Sequence, residues 1–190
     1  MSILFFPLTL IVSYAFIGAG IKCLDQAADY PAHFQSRHVY LWLVTIGLVI
    51  LVNIWVFFDN YTAVLALGII LGLVATRKVD SPYFFVLAVT ILPLGILRIM
   101  EPIILFFVLP TLIVVFLAST LDEILHSRNH KIQTPLLRWV IAHRPLLKIT
   151  VLLLPFLGLL TFDHTIAFWG FDIAYDLVAY YYSASISPNP

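Results

Sequence analysis

The chain has 190 residues, with 10 Lys and Arg against 10 Asp and Glu, and 62% of it is hydrophobic. Charged residues make up only 11% and mean hydropathy is +1.05, too little charge to cover the surface of a soluble domain. A formal net charge of zero gives no general attraction for nucleic acid, and a single cysteine, Cys23, excludes an intramolecular disulfide or a dithiol redox pair.

Five uncharged runs follow in chain order: 1–21, 39–58, 60–76, 81–97 and 102–121. Runs of roughly 17–25 apolar residues match a bilayer's hydrocarbon core when helical. Two further spans, 145–162 and 164–183, are interrupted by Lys148 and by Asp172 and Asp176. The sequence therefore predicts an all-α polytopic membrane protein of about seven transmembrane helices, residues 1–190 forming one domain. The first run has no Lys or Arg before its apolar part and is longer than a signal-peptide core, so it reads as a retained helix.

Basic residues concentrate in cytoplasmic loops. Threading seven helices with the N-terminus outside and the C-terminus inside puts Lys22, Arg37, Arg77, Lys78, Arg128, Lys131, Arg138, Arg144 and Lys148 on the inner side, leaving only Arg98 outside. The cell membrane is the expected location. The longer connections, about 24–38 and 122–144, are both inner; in the second, Pro135 and Pro145 bracket Leu136, Leu137, Trp139, Val140 and Ile141, the pattern of a short helix lying in the interface.

An internal repeat is visible. "FFDNYTAVLALGIILGLV" (57–74) aligns with "TFDHTIAFWGFDIAYDLV" (161–178), and "KCLDQ" at 22–26 with "STLDE" at 119–123. This predicts two parallel three-helix repeats, 1–76 and 102–183, joined by a linking helix, an arrangement found in small transporters.

The polar residues of the last span need a reason. Asp172 and Asp176 are spaced i, i+4 and share one helix face, with Asp172 roughly 12 Å below the outer boundary at ~1.5 Å per residue. A charge near the bilayer centre costs at least ~2.5–3.5 kcal/mol on insertion scales and marks an ion, proton or substrate path. No basic residue lies within an uncharged run to neutralise the pair. The same spacing recurs in "KCLDQAADY", where Lys22, Asp25 and Asp29 share a face if the first helix continues past residue 21. Asp80 beside Lys78, Asp122 and Glu123 with His126 and Arg128, and Arg144 with Lys148 complete a mixed inner mouth.

Mg²⁺ takes oxygen ligands and is held by one or two carboxylates together with substrate phosphates, while Lys and Arg neutralise the same phosphates. The expectation is therefore a membrane enzyme, a transferase or cyclase, acting on a phosphorylated or diphosphorylated isoprenoid-type lipid at the cytoplasmic leaflet. Asp25, Asp29, Asp172 and Asp176 are the candidate metal ligands, with Asp172 and Asp176 also catalytic. Lys22, Arg144 and Lys148 are the candidate phosphate ligands. The D-x-x-x-D spacing is similar to acidic motifs of intramembrane prenyltransferases and membrane CDP-alcohol phosphotransferases. This chain lacks the Asn-containing Asp-rich loop of the first and the Asp-Gly…Ala-Arg pattern of the second, and is assigned to neither. The alternatives are a proton- or cation-coupled transporter using Asp172 and Asp176, and a structural subunit of a membrane complex.

The remaining constellations are weaker. His126 and His130, with His33 or His38, lack a further ligand at fixed spacing for a transition metal or haem and read as interfacial loop histidines. A retinal protein would need a lysine inside the last helix, and none is there. Tyr180, Tyr181 and Tyr182 read as an aromatic belt, and Gly18, Gly20, Gly68 and Gly72 as close-packing positions.

Overall fold

The computed structural model describes residues 5–79, 81–129 and 133–186, so Asp80, His130 and Lys131 lie outside the described residues, as does the side chain of His33. In chain order the helices are α1 (Phe5–Asp29), α2 (Pro31–Phe34), α3 (His38–Phe58), α4 (Asn60–Ala75), α5 (Pro82–Ile99), α6 (Pro102–Ser127), α7 (Pro135–Ala142), α8 (Pro145–Leu153) and α9 (Phe162–Ile186). Short 3₁₀ turns at Gln35–Arg37 and Leu154–Leu157 precede α3 and extend α8. Among the described residues there is no strand.

Proline and short polar residues set the helix starts. Pro82, Pro102, Pro135 and Pro145 each open a helix, where proline's missing N–H has no intrahelical partner to lose. The side chains of Asp59 and Ser81 cap α4 and α5 by accepting from the amides of Thr62 and Phe84.

Among the described residues, four helices are long and apolar enough to cross a membrane: Phe6–Asp29, His38–Phe58, Pro82–Ile99 and Pro102–Ser127. Large apolar side chains face outward along them, including Phe16, Leu43, Leu97 and Phe106, as lipid contact requires. The described residues of the seven expected spans are largely helical, but α4 and the α8 segment are shorter, and α9, which carries Asp163, Asp172 and Asp176, is not among the four.

Two expected loops are largely helical. The first helix continues through Lys22, Asp25 and Asp29, and the sixth through Asp122 and Glu123 to Ser127. The short helix anticipated after Pro135 forms as α7, with Leu136 and Leu137 exposed and Ile141 buried.

The main seams join parallel helices. Gly18 of α1 meets the backbone of Phe171 on α9, and one turn on Lys22 meets Tyr175. Gly68 of α4 meets Val115 on α6, and one turn on Gly72 meets Ser119. His38 and Trp42 near the start of α3 meet Tyr83 near the start of α5. One apolar core joins α1, α3, α4, α5 and the start of α6; a second joins α1, α4, α6, α8 and α9 around Leu10, Leu65, Val115, Val151 and Phe168.

A Cβ at Gly18 would run into the carbonyl oxygen of Phe171, whereas one at Gly47 on α3 meets nothing. Gly18→Ala should lower stability by about 1–3 kcal/mol through overpacking. Gly47→Ala should be neutral or stabilise by up to ~1 kcal/mol through lost backbone freedom of the unfolded chain. Unfolding of the two variants in mixed micelles checks the contrast.

Candidate functional site

The end of the bundle that carries most of the basic residues also holds most of the carboxylates. On α1, Lys22 Nζ sits 2.6 Å from Asp25 Oδ2, an i, i+3 pair on one helix face. The Tyr175 hydroxyl of α9 donates to the same Asp25 oxygen at 2.9 Å. Lys22 lies 4.9 Å over the Tyr175 ring, adding a cation–π contact. Tyr175 in turn continues a stack with Phe171 and Phe168 along α9, with centroids 6.2 and 5.9 Å apart. Asp29 is exposed at the last residue of α1.

On α6 the two adjacent acids do different work. Asp122, buried, accepts from the amides of Leu146 at 3.0 Å and Leu147 at 2.6 Å. It thereby satisfies two first-turn donors of α8 from a neighbouring helix and meets the positive end of that helix's dipole. Glu123, with its side chain 3% exposed, pairs through Oε1 with Arg144 Nη1 at 2.9 Å. Its other oxygen, Oε2, and Nδ1 of His126 are buried without a protein hydrogen-bond partner.

Arg144 holds this arrangement at a backbone cost. It precedes Pro145 with φ 49° and ψ 62°, a left-handed conformation that side-chain-bearing residues adopt at a cost of order 1–2 kcal/mol. The turn joins α7 to α8, the Arg144 amide donating to the carbonyl of Ile141, and the guanidinium reaches Glu123.

The expectation that Asp172 and Asp176 lack a basic partner is overturned. Lys148, in the first turn of α8, places Nζ 2.8 Å from Asp172 Oδ2 and 3.9 Å from Asp176 Oδ2. The lysine and Asp172 side chains are 19% and 15% exposed, a largely desolvated pair, whereas Asp176 is half-exposed. An ammonium on this pair lowers the cost of holding carboxylates among apolar helices.

The structure thus gathers Lys22 and Asp25, Glu123 and Arg144, and Lys148 with Asp172 and Asp176 at one end, with Tyr175 linking α9 to α1. Each cation that the sequence marks for phosphate is already matched to a carboxylate. Among the described residues, no three His, Cys, Asp or Glu side chains are grouped as a metal site. Sequence reasoning did not find the roles of Asp122, Glu123 and Tyr175, since their partners lie 21 to 150 residues away. Elsewhere, His38 contacts the Tyr83 hydroxyl at 3.4 Å. Of the tyrosine belt, Tyr180 and Tyr181 are exposed, but Tyr182 turns inward onto Phe34 and Cys23. No protein-family model, curated protein or solved structure matches this chain.

The Lys148–Asp172 pair yields a direct test. Lys148→Met leaves Asp172 without its ammonium and should destabilise by roughly 3 kcal/mol, whereas Lys148→Met with Asp172→Asn should recover most of the loss. A double-mutant cycle on the purified protein reads the coupling; additive losses would show that the pair does not act as a unit.

Proposed function

We propose that this chain is an integral membrane enzyme, a transferase or cyclase, that acts on a phosphorylated or diphosphorylated isoprenoid-type lipid with Mg²⁺. In this reading seven helical segments cross the membrane, with the N-terminus outside, and the charged end opens to the cytoplasmic leaflet. Lys22, Arg144 and Lys148 receive the phosphate groups. Asp25, Asp172 and Asp176, released from their ammonium partners, would hold Mg²⁺ together with Asp29 and those phosphates. At Lys22 and Lys148 the exchange conserves local charge balance: phosphate replaces carboxylate on the two ammonium groups, and the metal replaces those ammonium groups on Asp25, Asp172 and Asp176, while Arg144 keeps Glu123 on one side of its guanidinium. The isoprenoid tail lies along the outward-facing apolar helix surfaces.

One observation carries the reading: three cations from three segments meet four buried or half-buried carboxylates at one end of the bundle, with Arg144 held there in a strained backbone conformation. Local strain of this kind clusters at ligand sites. Solvated surface charges would need neither the strain nor the burial of Glu123 and Asp172.

A second reading, a proton- or cation-coupled transporter built from two parallel three-helix repeats, is favoured by a different observation. The α1–α9 and α4–α6 seams both join parallel helices and both keep their stagger over a turn. In the repeat alignment of residues 22–26 with 119–123 and of 57–74 with 161–178, these two seams exchange places, as two repeats related by an axis along the membrane normal require.

Purified protein offered radiolabelled isoprenoid diphosphates with Mg²⁺ should turn over, and EDTA should abolish turnover. Asp172→Asn and Asp176→Asn should each lower the rate by about 100-fold or more while the protein stays folded, as expected when a charge acting on the reacting phosphates is removed. Turnover that ignores EDTA sinks the Mg²⁺ mechanism. Absence of turnover, together with vesicle uptake that loses its pH dependence in the same variants, establishes the transporter instead.

A further inference from the structure

At the opposite end of the bundle a second polar group has no part in the proposed chemistry. His164, in the first turn of α9, is 3% exposed at its side chain, and its Nε2 stands 2.7 Å from Asp59 Oδ2. Asp59 belongs to the tight turn between α3 and α4, 105 residues away. The imidazole Nδ1 is 2.6 Å from the Thr161 hydroxyl, and Thr161 is exposed. The same carboxylate oxygen accepts from the amide of Thr62 at 2.6 Å, and the Tyr14 hydroxyl of α1 donates to Thr62 Oγ1 at 2.9 Å. A continuous chain of hydrogen-bonding groups therefore runs from solvent at Thr161, through His164 and Asp59, to a buried tyrosine.

We propose that the His164–Asp59 pair is a proton-binding site that latches the α3–α4 turn to the start of α9. Histidine is the side chain whose charge ordinarily changes between about pH 5 and 8, and Thr161 gives water access to the ring nitrogen that is not on the carboxylate. With the ring neutral, Nε2–H donates an ordinary hydrogen bond to Asp59. With a proton added at Nδ1, the same contact becomes an imidazolium–carboxylate bond, roughly twice as strong, and Nδ1–H donates to Thr161. Proton uptake thus tightens the junction between two connections that belong to different halves of the chain.

The surroundings add few competing titrations. Asp163 neighbours His164 on α9, Tyr61 of α4 places its ring 5.3 Å from the imidazole, and Tyr14 approaches Asp59 from α1. Arg98 and Glu101 border the α5–α6 turn at the same end of the bundle. Burial pushes the Asp59 carboxyl up, but the hydrogen bond and charge of His164 and the bonds from Thr62 outweigh it and hold the group below its ordinary value of 3.8. A depressed carboxylate contributes stability above its unfolded pKa and loses it as pH falls through the folded value. Asp59 therefore stays ionised throughout the histidine range, and the latch fails in acid only in strongly acidic solution.

Hydrogen exchange on the full chain in nanodiscs, corrected for the intrinsic pH dependence of exchange, reads the latch directly. Amides of residues 59–63 and 162–166 should be about fivefold better protected at pH 5.5 than at pH 8, the ratio expected when a charge-assisted bond replaces a neutral one. His164→Asn keeps a donor but cannot titrate, so its protection should be the same at both values; Asp59→Asn should be poorly protected at both. Residues 20–27 at the other end serve as a control and should not follow the same curve. Equal protection of the wild-type peptides at the two pH values, or a pH response that persists in a folded His164→Asn, overturns the proposal. Neither outcome bears on Mg²⁺-dependent turnover, which tests the other end of the molecule.

Discussion

The close approach of α1 to α9 is the constraint on which the rest of the arrangement depends. Nothing larger than hydrogen fits at Gly18, because the carbonyl of Phe171 occupies the space a Cβ would need. Backbones this close place the side chains of the next turn in direct contact, which is why Lys22, Asp25 and Tyr175 share hydrogen bonds despite the length of chain between them. In a bilayer, lipid competes with helices for apolar contact, so association relies on close packing and interhelical polar bonds rather than on excluding water. The α1–α9 seam uses both: glycine in its middle and a charged hydrogen-bonded cluster toward one end. It also closes the bundle by joining its first and last long helices.

From that closure follows the distribution of charge. Because α9 lies on α1 while α8 leads into α9, Lys148 at the start of α8 is delivered to Asp172, and Asp122 of α6 is delivered to the α8 amides. Within a low-dielectric bundle, a carboxylate left unpaired is far more costly than one matched to a cation and donors. The observed pairing of Lys22, Arg144 and Lys148 is therefore the resting solution of the electrostatics. It also sets a requirement for any ligand that separates these pairs: it must offer an anion to the cations and a cation to the carboxylates. A phosphorylated lipid arriving with Mg²⁺ meets both conditions; a neutral lipid meets neither.

Helix existence was legible from the sequence, because apolar run length alone decides whether a segment can hide its backbone polar groups in lipid. Helix ends were not, since Lys22, Asp25, Asp122 and Glu123 mark where an apolar run stops, not where a helix must. The shared face of Asp172 and Asp176 followed from helical spacing, yet their partner did not, because Lys148 reaches them through the turn between α8 and α9. The same limit hid the His164–Asp59 bond: each residue reads as an ordinary turn residue until two distant turns are brought together. Glycine spacing was more informative, as Gly68 and Gly72 do sit against α6.

The repeat alignment bears on function through the contrast between corresponding seams. In it, the Gly72–Ser119 contact of α4 and α6 has as its counterpart the Asp176 and Lys22 positions of α9 and α1. Where one seam carries small residues in tight contact, the other carries charge. A small-residue seam resists separation through packing alone, whereas a seam of ion pairs can exchange its internal partners for those of a ligand without exposing bare charge to lipid. In the proposed function, this asymmetry is the reason the α1–α9 side, rather than α4–α6, is assigned the charged headgroup. The His164–Asp59 bond spans the two sides, since Asp59 caps α4 and His164 opens α9. A rearrangement of α9 at one end would therefore load this bond, and the Tyr61–His164 ring contact beside it, at the other.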